Sequence, residues 1–352
     1  MQGALIHIDN CIAYQSTRQH SYLIAITRRD PSRFLKSIPD SVPLSSLMLP
    51  GTHDTMAFYG WPITQCQSQN NTLDAQLNSG IRVVDIRLAI VESRLIAYHG
   101  IISQRVPFTV ILRQLHAFLT SPSTCSETVV VSIKQEDQDP RLFSRLVREE
   151  IMTSPGGLDM WYLENRIPNL GEVRGKAVMF SRFGGNGHGW KDCAIGIHPP
   201  LWPDSPRLYF SWNCGTTLVQ TQDWYAIPSF LWIAEKAAVS TEILAPLENC
   251  PNPVLSITFL SASSLPLALP PVIARGLGWP KYKLGFEGVN SRVGRWLLER
   301  LAGPSQGRRD ADVGPRIRGW ALMDFFEVPE GLVPLFIECN FRGRKVGEEG
   351  WS

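Results

Sequence analysis

Leu47-Met48-Leu49-Pro50-Gly51-Thr52-His53-Asp54, Val83-Val84-Asp85-Ile86-Arg87 and Ile96-Ala97-Tyr98-His99-Gly100 are three apolar runs that each end in titratable residues. Short runs rich in branched apolar side chains read as strands. Their ends supply the groups that cleave a phosphodiester without metal. One imidazole takes a proton from the attacking oxygen and a second gives one to the leaving oxygen. A guanidinium between them neutralises the growing negative charge, and its fork matches phosphate oxygens two at a time. His53, Arg87 and His99 supply those groups, with Asp54 and Asp85 beside them. An isolated imidazole titrates near ~6.5, so two of them can hold opposite protonation states at neutral pH. A single His before an Asp carries little weight. The ordered trio carries the reading.

Outward from these runs, apolar strands alternate with helical spacing. Val129–Ile133, Ala177–Phe180, Val254–Leu260 and Trp320–Phe326 read as strands. Between them, Phe108–Leu119, Arg141–Ile151, Pro228–Val239 and Asn290–Leu301 place apolar residues at helical intervals. Such alternation predicts an α/β protein with a parallel sheet. His53, Arg87, His99, Lys134, Arg182 and Asp324 all fall at or near the ends of apolar runs. Six such groups could not all face a core without heavy desolvation cost. Gly184–Asn213, Leu265–Pro280 and Gly303–Arg316 read as loops, and Met1–Lys36 as a leader. The run Gly184-Gly185-Asn186-Gly187-His188-Gly189 lacks the Lys-Ser/Thr ending and the helix of a phosphate loop, so it reads as a flexible loop.

The chain has 352 residues, 44% hydrophobic and 19% charged, enough for one large α/β domain and unlike a disordered composition. A net charge of +2 gives no bulk electrostatic case for nucleic acid. Seven scattered cysteines form no close zinc pattern, and reduced thiols are the expectation. The first 25 residues carry Asp9, Asn10, Gln15, Arg18 and His20, so no signal peptide is read there, and a cytoplasmic location is favoured over secretion. No stretch reaches the ~18 apolar residues of a membrane span, so membrane contact is expected to be peripheral.

The ordered trio resembles the X-domain of bacterial-type phosphatidylinositol-specific phospholipase C. The resemblance continues through Val129-Val130-Val131-Ser132-Ile133-Lys134-Gln135-Glu136, Val178-Met179-Phe180-Ser181-Arg182, Gln222-Asp223-Trp224-Tyr225 and Gly319-Trp320-Ala321-Leu322-Met323-Asp324-Phe325-Phe326. It runs from about Ser37 to about Glu327. It implies a single-domain, irregular TIM-like (β/α) barrel over residues 37–330, with an extension over 1–36 and a tail over 331–352. In such barrels the active site lies at the C-terminal ends of the strands.

The resemblance also implies roles. His53 would be the general base on the inositol 2-hydroxyl, held by Asp324, and His99 the general acid, supported by Asp54. Arg87, positioned by Asp85, would stand where eukaryotic relatives hold calcium. Lys134, Arg182, Asp223 and Tyr225 would form the inositol pocket. The products would be diacylglycerol and a 1,2-cyclic inositol phosphate. No metal and no cofactor are expected, because Arg87 beside Asp54 and Asp85 would repel a cation that needs clustered carboxylates. A metal-dependent glycerophosphodiesterase-like barrel would want a Glu–Asp pair near the second strand, which Val83–Arg87 lacks. The expected partner is a phospholipid at a membrane surface, touched by Trp61, Leu267 and Trp279, with no nucleic acid and a monomeric protein. The alternatives are another headgroup or a non-catalytic lipid-binding relative.

Overall fold

A computed structural model describes residues 5–8, 11–15, 23–136, 140–184, 190, 194–245, 254–278, 284–302, 316–344 and 347–351, with side chains from residue 26 onward apart from 140 and 141. Trp279 and the stretches 185–189 and 303–315 lie outside the described residues.

Three strands, β1 (Leu5–Ile8), β2 (Cys11–Gln15) and β3 (Leu23–Thr27), form a small antiparallel sheet of their own. The main sheet then begins with β4 (Met48–Thr52), followed by α1 (Leu73–Asn78), β5 (Val83–Val91), β6 (Arg94–His99), β7 (Ile102–Pro107), α2 (Phe108–Thr120) and β8 (Val129–Gln135). The middle of the chain holds α3 (Pro140–Thr153), β9 (Trp161–Tyr162), α4 (Leu170–Val173), β10 (Ala177–Arg182), β11 (Phe210–Cys214), β12 (Thr217–Gln222) and α5 (Ile233–Glu242). The last part holds β13 (Val254–Phe259), α6 (Pro270–Arg275), β14 (Gly276–Leu277), β15 (Phe286–Glu287), α7 (Val289–Ala302), β16 (Gly319–Met323) and α8 (Leu332–Glu338).

The sheet order is β11-β12-β13-β16-β4-β5-β8-β10-β9. From β12 to β9 every neighbouring pair is parallel. This is the expected α/β barrel-like sheet, curled and irregular; among the described residues no pairing joins β9 to β11. Strands such as Val129–Val130–Val131 are buried on both faces, as parallel strands under helices must be. At β4 the strands approach closely. A Cβ on Gly51 would lie 2.8 Å from Val83 Cβ and the Val83 carbonyl.

Two expectations are corrected, and one strand direction is new. The strand that ends in His99, β6, runs antiparallel to the second half of β5, in a β5–β6–β7 meander. The short spacing between β5 and β6 permits only a hairpin, because a parallel partner needs a crossover. Gly184–Asn213 is not all loop, since its end forms β11 on the sheet edge. Leu265–Pro280 holds α6, whose Pro270 and Pro271 are buried, because Pro fits the first helical turn.

At the end of the sheet opposite the strand C-termini, buried Arg82 pairs with Glu127 at 2.9 Å. Arg82 also donates to the carbonyls of Pro31 and Ser32, and Glu127 accepts from the amides of Leu35 and Lys36. These bonds tie the last residues of the expected extension to the sheet. Residues 331–352, expected as a tail, include the buried helix α8 and Asn340, whose side chain bonds both the amide and the carbonyl of Met48. No described helix is long and apolar enough to cross a membrane.

Candidate active site

The register of the sheet places the site. Arg87, Lys134 and Arg182 are Cα partners across β5, β8 and β10, so they form one row on one face. Two residues earlier, on the same face, Asp85 pairs with Ser132. On the other side β16 aligns with β4, ending Met323 opposite Thr52, so His53 and Asp324 emerge side by side. Both chains turn sharply there. Asp54 takes φ +40° and Phe325 φ +46°, left-handed values that a Phe rarely adopts. Gln67 bridges the two strand ends, its Nε2 donating to the carbonyls of His53 at 2.9 Å and Met323 at 3.0 Å.

His53 Nδ1 lies 2.8 Å from Asp324 Oδ1, and its Nε2 lies 2.6 Å from Arg87 Nη2. A guanidinium only donates. Nε2 therefore carries the lone pair, and Nδ1–H donates to Asp324. Burial, followed by the Arg87 charge, holds the His53 imidazole well below its ordinary value. Burial, reinforced by the Asp54 charge, pushes the Asp324 carboxyl well above its own. The free dyad thus resists becoming an ion pair and keeps His53 neutral, the form that a base requires.

His99 Nδ1 donates to the carbonyl of Thr64 at 2.8 Å and lies 2.9 Å from Asp54 Oδ2. The two imidazole rings are 6.3 Å apart between centroids. Arg87 is held by three carboxylates: Asp85 at 3.1 Å, Asp54 at 3.7 Å and Glu136 at 3.6 Å. Burial opposes its charge, but these carboxylates overcome that and raise its pKa. Asp85 is fully buried. Burial opposes its ionisation, yet Arg87 and Arg182 hold its carboxyl well below the usual range, and Ser132 Oγ donates to it.

Beside this centre, Lys134 bonds Glu136 at 2.9 Å, and Arg182 lies 3.5 Å from Asp85 and 4.0 Å from Asp223. The charge of Arg87 and then burial pull the Lys134 pKa down. The Arg182 guanidinium stacks 3.9 Å from the centre of the Trp202 ring, and Trp202 Nε1 donates to Asp223 at 2.8 Å. Tyr225 stands on the rim, exposed, with its hydroxyl on Asp204.

The structure therefore brings together His53, His99, Arg87, Asp54, Asp85 and Asp324, with Lys134, Arg182 and Asp223 alongside. Trp61 and Leu267 are exposed. Sequence reasoning missed Glu136, Trp202 and Cys66. Glu136 follows Lys134 by two residues, so strand alternation could have placed it on the same face. Trp202 lies in an irregular stretch with no periodic signal. Cys66 is fully buried with its Sγ 3.7 Å from His99 Nδ1, and burial and the charges of Asp324 and Asp54 keep its thiol well above the ordinary value.

Comparison with known proteins bears on the fold. No family model matches the chain. Of solved structures, it aligns with phosphatidylinositol-specific phospholipase C of Staphylococcus aureus at a TM-score of 0.65 and 21% identity, covering 88% of this chain and 98% of that one. It aligns with the Listeria monocytogenes enzyme at 0.63 and 23%, covering 89% and 99%. The chain has the fold of bacterial phosphatidylinositol-specific phospholipase C. Two curated relatives are similar in sequence to parts of the chain. The 1-phosphatidylinositol phosphodiesterase of L. monocytogenes is 31% identical over 160 residues, 42% of this chain and 48% of that protein. The S. aureus counterpart is 26% identical over 210 residues, 56% and 65%. The matched stretches thus span less than two thirds of these phospholipase C relatives.

Proposed function

We propose that this protein is a metal-independent phospholipase C that cleaves phosphatidylinositol, or its glycosylated form, to diacylglycerol and a 1,2-cyclic inositol phosphate. The observation that carries the reading is the pair of imidazoles 6.3 Å apart, with Arg87 bonded to one of them. One phosphate spans such a gap with a hydrogen bond on either side.

The phosphate draws the Arg87 fork onto its oxygens, and His53 Nε2 is released to the inositol 2-hydroxyl. His53 takes that proton while the 2-oxygen attacks phosphorus. Asp324 accepts from Nδ1 and stabilises the imidazolium that forms, as the Asp of a hydrolytic triad does. As the phosphorus–glycerol oxygen bond breaks, protonated His99 delivers its Nε2 proton to diacylglycerol. Thr64 and Asp54 hold the other ring nitrogen, so the acid is aimed. Arg87, with Lys134 nearby, balances the charge that builds on phosphorus, which is where preorganised donors contribute most. The inositol ring lies over Lys134, Arg182 and Asp223. Trp202 is the more buried aromatic face beside it, and Tyr225 the outer one.

The substrate is a lipid, and Trp61, Ile63, Leu265 and Leu267 are exposed in segments that follow β4 and β13. β13, β16 and β4 run parallel, so these segments leave the sheet at the end that holds the site. Exposed Trp and Leu suit insertion at the headgroup boundary.

Phosphorus NMR of phosphatidylinositol vesicles with EDTA present tests the proposal. The expected result is a cyclic phosphodiester signal that appears at the same rate with and without calcium. An open monophosphate as first product, or activity only after calcium is restored, would defeat it.

A further inference from the structure

Cys66 plays no part in the mechanism above, yet it sits at its centre. Its Sγ, a ring nitrogen of His99 and a carboxylate oxygen of Asp54 lie within 4.8 Å of one another, with Sγ 3.7 Å and Asp54 Oδ2 2.9 Å from His99 Nδ1. Two of the three donors are buried, and His99 alone keeps modest exposure, so the cluster opens toward solvent through its imidazole. Asp54 Oδ2 is a buried carboxylate oxygen without a hydrogen bond; it lies 2.9 Å from His99 Nδ1, whose N–H bonds to Thr64, and 3.7 Å from Arg87 Nε. The cluster thus joins a sulfur, an imidazole nitrogen and a carboxylate oxygen.

We propose that Cys66, His99 and Asp54 form an inhibitory site for a thiophilic divalent cation, zinc being the common one. The donor set is the kind that zinc accepts in a tetrahedral site with one position left for water. Zinc–sulfur and zinc–nitrogen bonds of about 2.3 and 2.0–2.1 Å place S and N about 3.6 Å apart at a tetrahedral angle. Here they are 3.7 Å apart. The nitrogen–oxygen pair, at 2.9 Å, has only to open by a few tenths of an ångström.

Binding releases the thiol proton to solvent, and the His99 proton moves from Nδ1 to Nε2, so the metal receives a thiolate, a neutral imidazole and a carboxylate. The two anionic ligands neutralise the dication, which offsets the repulsion from Arg87. A hard cation such as calcium gains nothing from sulfur and meets that repulsion with one carboxylate. In the second trio around Cys66, with His53 and Asp324, the imidazole faces a guanidinium at Nε2 and its own carboxylate partner at Nδ1, whereas His99 Nδ1 has to give up only its bond to the neutral Thr64 carbonyl.

The inhibitory consequence rests on the proposed role of His99 as acid. A metal on Nδ1 replaces the proton that makes the ring an imidazolium. The remaining Nε2–H is then a far weaker acid, and cleavage stops.

The test uses the full chain, stripped with EDTA and titrated with cobalt(II), then with zinc. The expected result is a thiolate-to-cobalt charge-transfer band that zinc abolishes. The band should be missing in Cys66→Ala and in Cys66→Ser, the serine variant serving if alanine fails to fold. In parallel, zinc should inhibit lipid cleavage reversibly, calcium should not, and the Cys66 variants should need at least about tenfold more zinc. A missing band in the wild type, or equal zinc sensitivity in the variants, would overturn the site. A band without inhibition would support the site and overturn the acid role of His99, so the two readings fail separately.

Discussion

His53 presents its lone pair at Nε2 because Arg87 donates to that atom and Asp324 accepts from the other nitrogen. Its low pKa, set by burial and then by Arg87, keeps the imidazole, the proposed base, unprotonated in mild acid. The acid limb of the kcat/KM profile, which reports the base of the free enzyme, should therefore fall below the ordinary imidazole value of ~6.5. A limb above that value would contradict the assignment. His53→Ala and His99→Ala should each lower turnover by at least about 10²-fold. Both residues lie at strand ends rather than in the core, so melting temperature should change little. Near-normal turnover in either variant would remove the two-histidine mechanism.

At the scale of elements, the site depends on the ends of β4 and β16 staying in register. Gln67 holds them together through the carbonyls of His53 and Met323. It is fully buried, so no water replaces it. Gln67→Leu would leave the buried His53 carbonyl without its donor, while the Met323 carbonyl keeps the His53 amide at 3.0 Å, at a cost of about 1–3 kcal/mol. Turnover should fall more than KM rises, since His53 and Asp324 would shift while Lys134 and Arg182 stay on β8 and β10. Urea unfolding with steady-state kinetics checks both. An unchanged kcat in a destabilised variant would show that the clamp serves stability alone. The β5–β6–β7 meander is a second device, because it carries His99 back over the sheet from a strand that runs the wrong way for a barrel. Gln104, buried in β7, accepts from the amide of Tyr59 and ties this meander to the loop after β4.

For the molecule as a whole, two properties emerge that no single element holds. One is the apolar rim. Trp61→Ala combined with Leu267→Ser should weaken vesicle binding about tenfold or more, as expected for losing apolar area from an interface. Hydrolysis of a soluble inositol cyclic phosphate should stay close to normal. Equal loss on both substrates, or a large drop in melting temperature, would show that these side chains pack rather than dock. The other is a lysine enclosed between α5 and the sheet. Lys236 is fully buried and donates to Gln222 Oε1 at 3.2 Å. Burial brings its pKa down to about 7 from 10.5, despite Asp223 and Asp324. Between those two values the unfolded chain binds the proton and the folded chain does not. Stability should therefore rise with pH across that window, by at most about 1.4 kcal/mol per pH unit, and the gain is absent below it. Melting curves of wild type and Lys236→Met from pH 7 to 9 measure this. If both rise in parallel, Lys236 is not the cause.

Sequence alone determined the strand ends. Apolar runs closing on Thr-His-Asp, Asp-Ile-Arg and Ser-Ile-Lys put chemistry at one edge, and strand alternation set Asp85 and Arg87 on a common face. The parallel order of the sheet was legible from strand–helix alternation. The direction of β6 was not, because apolar content is the same whichever way a strand runs. Tertiary structure alone decided that Trp202, from an irregular segment, stacks on Arg182, and that Cys66 lies between two imidazoles. A local pattern reports which face of its own element a residue takes. Contacts between residues far apart in the chain depend on cross-strand register and on where loops pack, and those are set only when the whole core closes.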